Sequence, residues 1–359
     1  MGKRIIIAGG GTGGHIFPAI AIANALKKLD AGTEILFVGA KGKMEMEKVP
    51  QAGYGIKGLD ITGFNRSSLI KNVGLPFRLL KSFFQVRSIF RTFRPEAAVG
   101  VGGYSSFPVL RLAQARSIPT FIHESNSFAG RSNRMLARRA TKIFTGTDGM
   151  EKFFPAEKIL VTGNPVRSSI AEKTVSREEA VRFFSLDPAR TTVLVIGGSQ
   201  GARSVNEAIE SGFARIVENG LQLIWQTGRL FHPKVEVRKS AWIGEFITKM
   251  EFAYAAADMI VSRSGAMSVA EICVAGKPVV FVPYPHAAED HQTVNAMRLV
   301  NRDAALLIRD AEAREKLVPT VLELAADEER RREMKKNLEP LAITNADDRI
   351  AAEILKRIA

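Results

Sequence analysis

The residues best suited to chemistry follow two glycine-rich turns, each preceded by a short apolar run. The first turn spans Gly9–Gly14, and His15 comes directly after it at the start of a helical pattern. The second turn spans Gly197–Gly201 and follows the apolar run Val193–Ile196. A glycine turn between a strand and a helix lets backbone N–H groups approach a phosphate, with the positive end of the helix dipole behind them. The sequence therefore predicts two phosphate-binding turns, one in each half of the chain.

His15 is the clearest candidate for proton transfer. The dipole of a helix repels positive charge at its N-terminus, so an imidazole placed there should stay neutral. A neutral imidazole is the form that acts as a general base. The residues alone leave open whether His15 is a base or a structural residue.

A third polar cluster is Ser262–Glu271, which follows the apolar run Met259–Val261. In this cluster Glu271 lies about one helical turn after Ser268. Two interpretations stay open, since the Glu271 carboxylate could bind sugar hydroxyls or could form a capping pair with Ser268.

A nicotinamide or flavin enzyme is the first alternative to weigh. Gly9, Gly11 and Gly14 fit the G-x-G-x-x-G pattern, which requires an acidic residue at the end of the second strand to hold a ribose. In this chain the second apolar run is followed by Gly39-Ala40-Lys41. The acid is absent, which argues against a dinucleotide cofactor.

The lone cysteine and the later histidines carry little chemical signal. Cys273 lies in an apolar stretch, which indicates a packed thiol in a reducing compartment. His286 and His291 lie five residues apart across a turn-rich segment, which is not a spacing typical of metal ligands. We therefore expect neither a metal site nor a cofactor.

Strands and helical patterns alternate along the chain, and these elements must position the polar clusters. Such alternation is typical of parallel sheets that are covered on both faces. The predicted strands are Arg4–Ala8, Glu34–Val38, Ala97–Val101, Thr120–His123, Lys142–Thr145, Thr192–Ile196, Leu221–Gln226, Lys234–Val237, Met259–Val261 and Pro278–Val282. The predicted helices include Pro18–Leu29, Phe107–Arg116, Ser204–Asn219, Ser268–Ala275, Thr293–Asn301 and Asp347–Ala359. The turn-rich segment Thr162–Val166 predicts a joint between two doubly wound domains.

The net positive charge comes entirely from the first half. Residues 1–165 contain 24 Lys and Arg against 10 Asp and Glu, whereas the remainder contains 27 of each. This excess predicts an anionic partner for the first half, such as a membrane surface, a nucleic acid or a phosphorylated substrate. No apolar run has the length of a signal peptide core or a membrane span, so we expect a cytosolic protein.

Seven short motifs occur in one order along nearly the whole chain. They are Gly9–Pro18, Val101–Ser105, His123–Asn126, Gly163–Arg167, Gly197–Arg203, Ser262–Glu271 and Gln292–Ala296. In this order they resemble the bacterial peptidoglycan glycosyltransferases that form lipid II, in glycosyltransferase family 28. Ser125 and His291 depart from the family pattern, because many relatives have Gln at both places.

The resemblance implies an α/β GT-B fold, in which two Rossmann-like, doubly wound parallel-sheet domains face a central cleft. Residues 1–164, with a final helix at about 344–359, would hold the acceptor and face the membrane. Residues 165–343 would bind UDP-N-acetylglucosamine (UDP-GlcNAc). The implied reaction is an inverting transfer of GlcNAc to the C4 hydroxyl of MurNAc in undecaprenyl-diphospho-MurNAc-pentapeptide (lipid I). The implied location is peripheral, on the cytoplasmic face of the inner membrane, with other cell-wall and division proteins as further partners.

The resemblance also implies the binding and catalytic residues. Those for UDP-GlcNAc are Thr12, Gly13, Gly14, Asn126, Arg167, Ser199, Ile247, Ala266, Met267, Glu271, Gln292 and Asn295. Within this set, Arg167 and the Ile247 backbone should lie near the uracil, and Glu271 should bind the ribose. His15 is the leading general base, with Glu124 and His123 as rivals or orienting partners.

An acceptor with a lipid tail requires a membrane-docking surface. Residues 61–95 contain seven basic residues and no acidic residue, with aromatic side chains between them. A basic, aromatic helix suits an anionic bilayer surface. The expected docking residues are Phe77, Leu80, Phe83, Phe84, Arg87 and Arg91. The alternative is an ordinary core helix with a solvated basic face.

Two other functions remain as alternatives. A glycosyltransferase with a diacylglycerol or another small aglycone as acceptor would use the same kind of donor site. A nucleic-acid-binding protein would account for the pI of about 10.0. No recognised nucleic-acid-binding motif occurs, so we expect no nucleic acid partner.

Overall fold

The computed structural model describes residues 2–63, 74–198, 200–236 and 240–358. The chain forms two compact units. Unit 1 consists of Met1–Val166 together with Asn345–Ala359, and unit 2 consists of Arg167–Thr344.

Unit 1 is built on a parallel sheet of seven strands in the order β3-β2-β1-β4-β5-β6-β7. The strands are β1 Arg4–Ala8, β2 Glu34–Ala40, β3 Gly55–Leu59, β4 Ala97–Gly100, β5 Thr120–Glu124, β6 Lys142–Thr145 and β7 Ile159–Val161. The strand order reverses between β1 and β4, where Ala8 pairs with Gly100. Ligands of open parallel sheets bind outside the carboxyl ends of the strands at such a switch point.

Helices cover both faces of this sheet. They are α1 Gly13–Leu29, α2 Glu45–Gln51, α3 Leu75–Phe93, α4 Ser106–Ala115, α5 Arg131–Ala137 and, from the end of the chain, Ala346–Ile358. Ile5, Ile6 and Ile7 of β1 are all fully buried, because a central strand that is covered on both faces has no polar side. Their side chains alternate between two apolar clusters, one on each face.

The helix Ala346–Ile358 packs on α1 within unit 1. Its residues Ile350 and Ile354 are fully buried in the same cluster as Ile22 and Leu26 of α1. Full burial of an isoleucine side chain stabilises the folded state by about 1.5–3 kcal/mol. This packing explains why residues far apart in the sequence belong to one unit.

Unit 2 contains a parallel sheet of six strands in the order β10-β9-β8-β11-β12-β13. The strands are β8 Thr192–Ile196, β9 Gln222–Gln226, β10 Ala241–Gly244, β11 Met259–Ser262, β12 Val279–Phe281 and β13 Leu306–Leu307. The helices are α6 Ser168–Ala171, α7 Arg177–Phe183, α8 Arg203–Glu218, α9 Met250–Ala256, α10 Ala266–Ala275, α11 His291–Val300, α12 Ala313–Ala326 and α13 Glu328–Leu338. Following this order, Ala346–Ile358 is α14. The switch point lies between β8 and β11, where Ile196 pairs with Ser262.

One predicted strand is wrong. Residues 234–236 have no strand structure, and Val237 lies outside the described residues. The edge position beside β9 belongs to β10 at Ala241–Gly244 instead. Within the described ranges, no helix has the length and hydropathy needed to cross a bilayer.

Candidate active site

The first glycine turn connects β1 to α1 at the switch point of unit 1, and a buried carboxylate holds it there. Glu45 is 1% exposed and accepts hydrogen bonds from the Gly11 N–H at 2.8 Å and from the Ala40 N–H at 2.9 Å. Gly10 has a φ of 147°, and a Cβ on it would lie 2.3 Å from the Glu45 carboxylate. Glu45 therefore fixes the path of the turn, and the close approach requires glycine.

His15 lies in the first turn of α1, and its hydrogen bonds define its tautomer. The Nδ1 atom is 3.2 Å from the Gly10 carbonyl oxygen and 3.3 Å from the Thr12 hydroxyl. A carbonyl oxygen only accepts, so Nδ1 carries the proton and Nε2 keeps its lone pair. Burial lowers the pKa of His15 below 6.5, against the opposing effects of Glu124, the Gly10 carbonyl and Glu45. The imidazole is therefore neutral near pH 7, with Nε2 able to accept a proton.

The segment after β4 leaves room for this imidazole. Gly102 has a φ of 96°, and a Cβ on it would lie 2.7 Å from His15 Nε2. A Cβ on Gly103 would lie 2.4 Å from the Gly10 carbonyl oxygen. The motif Val101–Ser105 therefore lies against the first glycine turn and the His15 ring.

Glu124 ends β5 and orients the loop that follows it. Its Oε1 accepts from the Asn126 N–H at 3.1 Å and from the Asn126 side-chain amide at 3.4 Å. Its Oε2 accepts from the Gly130 N–H and the Asn133 side-chain amide, both at 2.9 Å. With these donors on a buried carboxylate, Glu124 positions Asn126 and acts on His15 through its charge.

His123 is buried next to this loop. Its Nδ1 is 3.4 Å from the Ser125 hydroxyl, and within the described residues its Nε2 has no hydrogen-bond partner. Burial lowers the pKa of His123 to about 4; the Gly163 backbone opposes this effect, and the positive charge that His15 carries when protonated adds to it. The structure thus brings all three predicted catalytic residues, His15, His123 and Glu124, into one region of unit 1. Thr12, Gly13 and Gly14 open α1 in the same region, and Thr12 is exposed.

The second glycine turn connects β8 to α8 in unit 2, and Gln226 at the end of β9 holds it. The Gln226 amide donates to the Gly198 carbonyl oxygen at 2.9 Å, and its Oε1 accepts from the Ile247 N–H at 2.9 Å. The Ile247 N–H, predicted near the uracil, is therefore already bonded within the protein. The predicted residue Ser199 lies outside the described residues.

The turn between β11 and α10 presents a helix N-terminus. Gly265 is the N-cap of α10, and no side chain caps the helix. Ala266 and Met267 are its first residues and are half-buried. Because they stand at the helix start, their N–H groups have no intrahelical partner. Uncapped N–H groups at a helix start are suited to bind a phosphate.

Arg167, Glu271 and Tyr254 form a buried polar cluster in unit 2. Arg167 donates from Nε to Glu271 Oε1 at 3.0 Å and from Nη2 to Oε2 at 3.2 Å. The Tyr254 hydroxyl donates to Oε2 at 3.1 Å, and burial raises the pKa of Tyr254 well above 10. Glu271 is 6% exposed, and its carboxylate is paired with Arg167. It does not form the capping pair with Ser268, because the N-cap of α10 is Gly265.

Gln292 and Asn295 begin α11 and are joined to the β11 turn through Ser264. The Ser264 hydroxyl donates to the Gln292 carbonyl oxygen at 2.8 Å, and the Asn295 amide donates to the Ser264 carbonyl oxygen at 3.1 Å. The Gln292 Oε1 accepts from the Tyr284 N–H at 3.0 Å. These bonds bring the start of α11 to the start of α10.

The helix α3 has two different faces. Its buried face consists of Ser82, Val86 and Phe90, which occur every four residues. Its exposed face carries the expected docking residues Phe77, Leu80, Phe84, Arg87 and Arg91, with exposures of 76% for Phe77 and 65% for Phe84. Phe83 is half-buried at the border. The helix therefore packs on the core through one face, and membrane docking of the exposed face stays a prediction.

Sequence reasoning missed three residues that hold the site together. Glu45, Gln226 and Tyr254 each form a bond to a site residue 17 or more positions away in the sequence. In the sequence, these three residues are marked only as polar residues in or beside a mostly apolar strand or helix. In the part of the chain that the structure describes, no group of His, Cys, Asp and Glu residues is suited to hold a metal ion.

Two Rossmann-like units, each with a glycine turn at the switch point of a parallel sheet, are the architecture of the GT-B fold. Residues 5–145 match the glycosyltransferase family 28 N-terminal domain, and residues 192–353 match the glycosyltransferase family 28 C-terminal domain. The chain belongs to glycosyltransferase family 28, and the predicted family and fold class are confirmed.

Two relatives of this chain have the same name. The UDP-N-acetylglucosamine--N-acetylmuramyl-(pentapeptide) pyrophosphoryl-undecaprenol N-acetylglucosamine transferase of Parabacteroides distasonis is 50% identical and covers 99% of this chain and 98% of its own. The transferase of the same name from Phocaeicola vulgatus is 49% identical and covers 98% of this chain and 96% of its own. The crystal structure of Acinetobacter baumannii MurG is 27% identical, covers 99% of each chain and has a TM-score of 0.76.

Proposed function

We propose that this protein transfers GlcNAc from UDP-GlcNAc to the C4 hydroxyl of MurNAc in lipid I, forming lipid II. The observation that carries this proposal is the 50% identity, across 99% of the chain, to a transferase named for that reaction. The geometry of each unit supports a separate role, donor binding in unit 2 and acceptor binding in unit 1.

Unit 2 is proposed to bind the donor. Three features of its switch point suit the parts of a nucleotide sugar. The second glycine turn and the uncapped start of α10 offer N–H groups to the diphosphate. The Glu271 carboxylate is proposed to accept hydrogen bonds from the ribose hydroxyls, and Gln292 and Asn295 are proposed to bind the sugar. Fixed N–H donors also stabilise the negative charge that develops on departing UDP.

Unit 1 is proposed to bind the acceptor and activate it. His15 Nε2 would take the proton of the MurNAc C4 hydroxyl while the oxygen attacks the anomeric carbon of GlcNAc. The bond from that carbon to the UDP oxygen breaks at the same time, so the configuration at the anomeric carbon inverts. Glu45 and Glu124 would contribute by holding the glycine turn and Asn126 in place.

The exposed face of α3 is proposed to dock on the anionic cytoplasmic surface of the membrane that holds the acceptor. Phe77, Leu80 and Phe84 would enter the interface while Arg87 and Arg91 contact lipid phosphates. Each basic side chain near such a surface contributes about 1 kcal/mol. This face thus accounts for part of the positive charge of the first half.

The test is a transfer assay with labelled UDP-GlcNAc. Purified protein is incubated with the donor and a lipid I analogue, and label in lipid and release of UDP are measured together. We expect both products, and neither when the analogue is omitted. The control acceptor is a diacylglycerol, which carries no MurNAc. Transfer to the diacylglycerol, or no transfer to the lipid I analogue, would contradict the proposal.

A further inference from the structure

Unit 2 contains a second recess, at the opposite end of its sheet from the glycine turn. It has a volume of about 880 Å³ and is lined by residues that precede the strands, including Thr191 before β8, Asp258 before β11 and Pro278 before β12. A strand of five residues spans about 16 Å. Arg167 and Glu271 do not line the recess, whereas Tyr254, which donates to Glu271, does. The recess is therefore distinct from the glycine turn at the other end of the sheet and shares one wall residue with the cluster of Arg167, Glu271 and Tyr254.

The walls of this recess are positively charged. Seven basic and four acidic residues line it, although the second half of the chain has no net charge. Three of the basic residues come from different elements, namely Lys173 after α6, Lys277 after α10 and Lys335 on α13. In the described part of the chain, none of these three ammonium groups forms an ion pair with a carboxylate.

Asp258, the acid whose charge acts on Lys277, is already engaged. Asp258 accepts from Arg177 at 3.2 Å on Oδ1 and at 2.8 Å on Oδ2, and Oδ2 also accepts from the Thr192 N–H at 2.8 Å. The Asp258 carboxylate therefore forms its ion pair with Arg177, and acts on Lys277 only through its charge.

The other acids lining the recess have different contacts. Glu328 pairs with Arg332 on its own helix, and Glu251 accepts from the Ser169 hydroxyl at 3.4 Å. Glu339, four residues after Lys335, also lines the recess and is exposed. The lysines are thus left with unbalanced charge around a space of ligand size, since small-molecule sites measure about 300–1,000 Å³.

We propose that this recess binds a small anion that carries phosphate groups, held by Lys173, Lys277 and Lys335. The cost of placing three cations together makes the empty recess unfavourable, and a multivalent anion removes that cost. Phosphate oxygens accept charge-assisted hydrogen bonds from ammonium groups, which are stronger than neutral ones.

The state of Lys277 agrees with this geometry. Burial lowers its pKa to about 8; Asp258 opposes this effect, whereas Lys335, Arg177 and Lys173 add to it. The remaining cations that line the recess, Arg190, Arg331 and Arg332, are bonded to carbonyl oxygens or to Glu328. A bound anion should raise the pKa of Lys277, so binding should weaken as the pH rises above about 8.

The test is lysine acetylation of the full chain at pH 8, with each site quantified by mass spectrometry. Inorganic diphosphate is the probe, and sodium chloride of equal ionic strength is the control. We expect diphosphate, but not chloride, to reduce acetylation of Lys277 severalfold. Lys336 is the internal control, because it is exposed beside Lys335 but does not line the recess. Equal protection of Lys277 and Lys336, or equal protection by chloride, would overturn the proposal.

Two further arms sharpen the result. Lys335→Gln should reduce the protection of Lys277, whereas Lys336→Gln should leave it unchanged; protection that both variants retain in full would overturn the site. Vesicles of phosphatidylglycerol replace diphosphate in the second arm, since a lipid headgroup offers the same phosphate chemistry. Protection by diphosphate identifies a soluble ligand, protection by vesicles alone identifies a lipid, and protection by neither overturns the proposal. Diphosphate bound at the donor site would not protect Lys277, so the outcome is independent of the proposed transferase activity.

Discussion

The buried cluster of Arg167, Glu271 and Tyr254 gives the sharpest prediction, and the perturbation is Glu271→Gln. Glutamine has the same shape, but it lacks the negative charge and replaces one acceptor oxygen with a donor nitrogen. At least one of the three hydrogen bonds that now end on Glu271 would then meet a donor. Arg167 would also keep its charge in a largely buried place without a counter-charge.

The expected magnitude follows from these contacts. A hydrogen bond to a charged group contributes about 1.5–3 kcal/mol, and removing one partner of a buried ion pair costs about 3–5 kcal/mol. Because glutamine keeps one acceptor, we expect the free energy of unfolding of unit 2 to fall by about 3 kcal/mol. Tyr254→Phe removes a single hydrogen bond to the Glu271 carboxylate and should cost about 1.5–3 kcal/mol.

The assay is urea unfolding followed by tryptophan fluorescence. The chain contains two tryptophans, Trp225 and Trp242, and both lie in unit 2, so the signal reports that unit alone. The matched control is Glu312→Gln, which removes an exposed ion pair with Lys316. It should leave the urea concentration at the midpoint of unfolding unchanged. A loss below about 1 kcal/mol for Glu271→Gln would refute the buried-pair argument.

The same variant tests the proposed role at the ribose. Loss of the carboxylate should raise the KM for UDP-GlcNAc at least about tenfold, which corresponds to about 1.4 kcal/mol of binding energy. A destabilised variant with an unchanged KM would assign Glu271 a structural role only.

Four further predictions concern unit 1. Glu45→Gln should lower kcat more than it changes the KM for UDP-GlcNAc, because the glycine turn loses a hydrogen bond at Gly11 or Ala40; an unchanged kcat would refute this. His15→Ala should abolish most of the turnover with little change in the affinity for UDP-GlcNAc. In the unmodified protein, kcat should decrease on the acid side only below pH 6.5, because the pKa of His15 is lowered. Between pH 6.5 and about 4, His123 takes up a proton in the unfolded chain but stays neutral in the folded one. The free energy of unfolding, measured by circular dichroism, should therefore decrease by up to about 3 kcal/mol as the pH is lowered through this range. His123→Asn should reduce this pH dependence, and an unchanged pH dependence would contradict the assignment. Replacing Phe77 and Phe84 with Ser should weaken binding to anionic vesicles, whereas Phe90→Ser should instead destabilise the fold; vesicle binding that survives in the first variant would exclude this face.

The central strands of both sheets could be predicted from the sequence, whereas the edge strands could not. A strand such as β1 is covered on both faces and consists of an unbroken apolar run. The four strands that the prediction missed, β3, β7, β10 and β13, are the edges of the two sheets. An edge strand such as β3 alternates exposed and half-buried positions and contains Gly55, Lys57 and Gly58, so no apolar run indicates it.

The site divides in a similar way. The two glycine turns were predictable because a strand, a turn and a helix are adjacent in the sequence. The bonds that hold the turns were not, since Glu45 reaches Gly11 and Gln226 reaches Gly198 only after the sheets have formed. A prediction from local pattern therefore identifies where a ligand binds better than it identifies what keeps that place rigid.

The position of α14 has a consequence for synthesis on the ribosome. Its residues Ile350 and Ile354 share an apolar cluster with α1, yet the whole of unit 2 is translated between these two helices. Unit 2 can therefore acquire its complete fold while the nascent unit 1 still exposes an apolar strip on Ile22 and Leu26. A chain truncated before residue 346 would keep that strip open permanently and would be expected to aggregate.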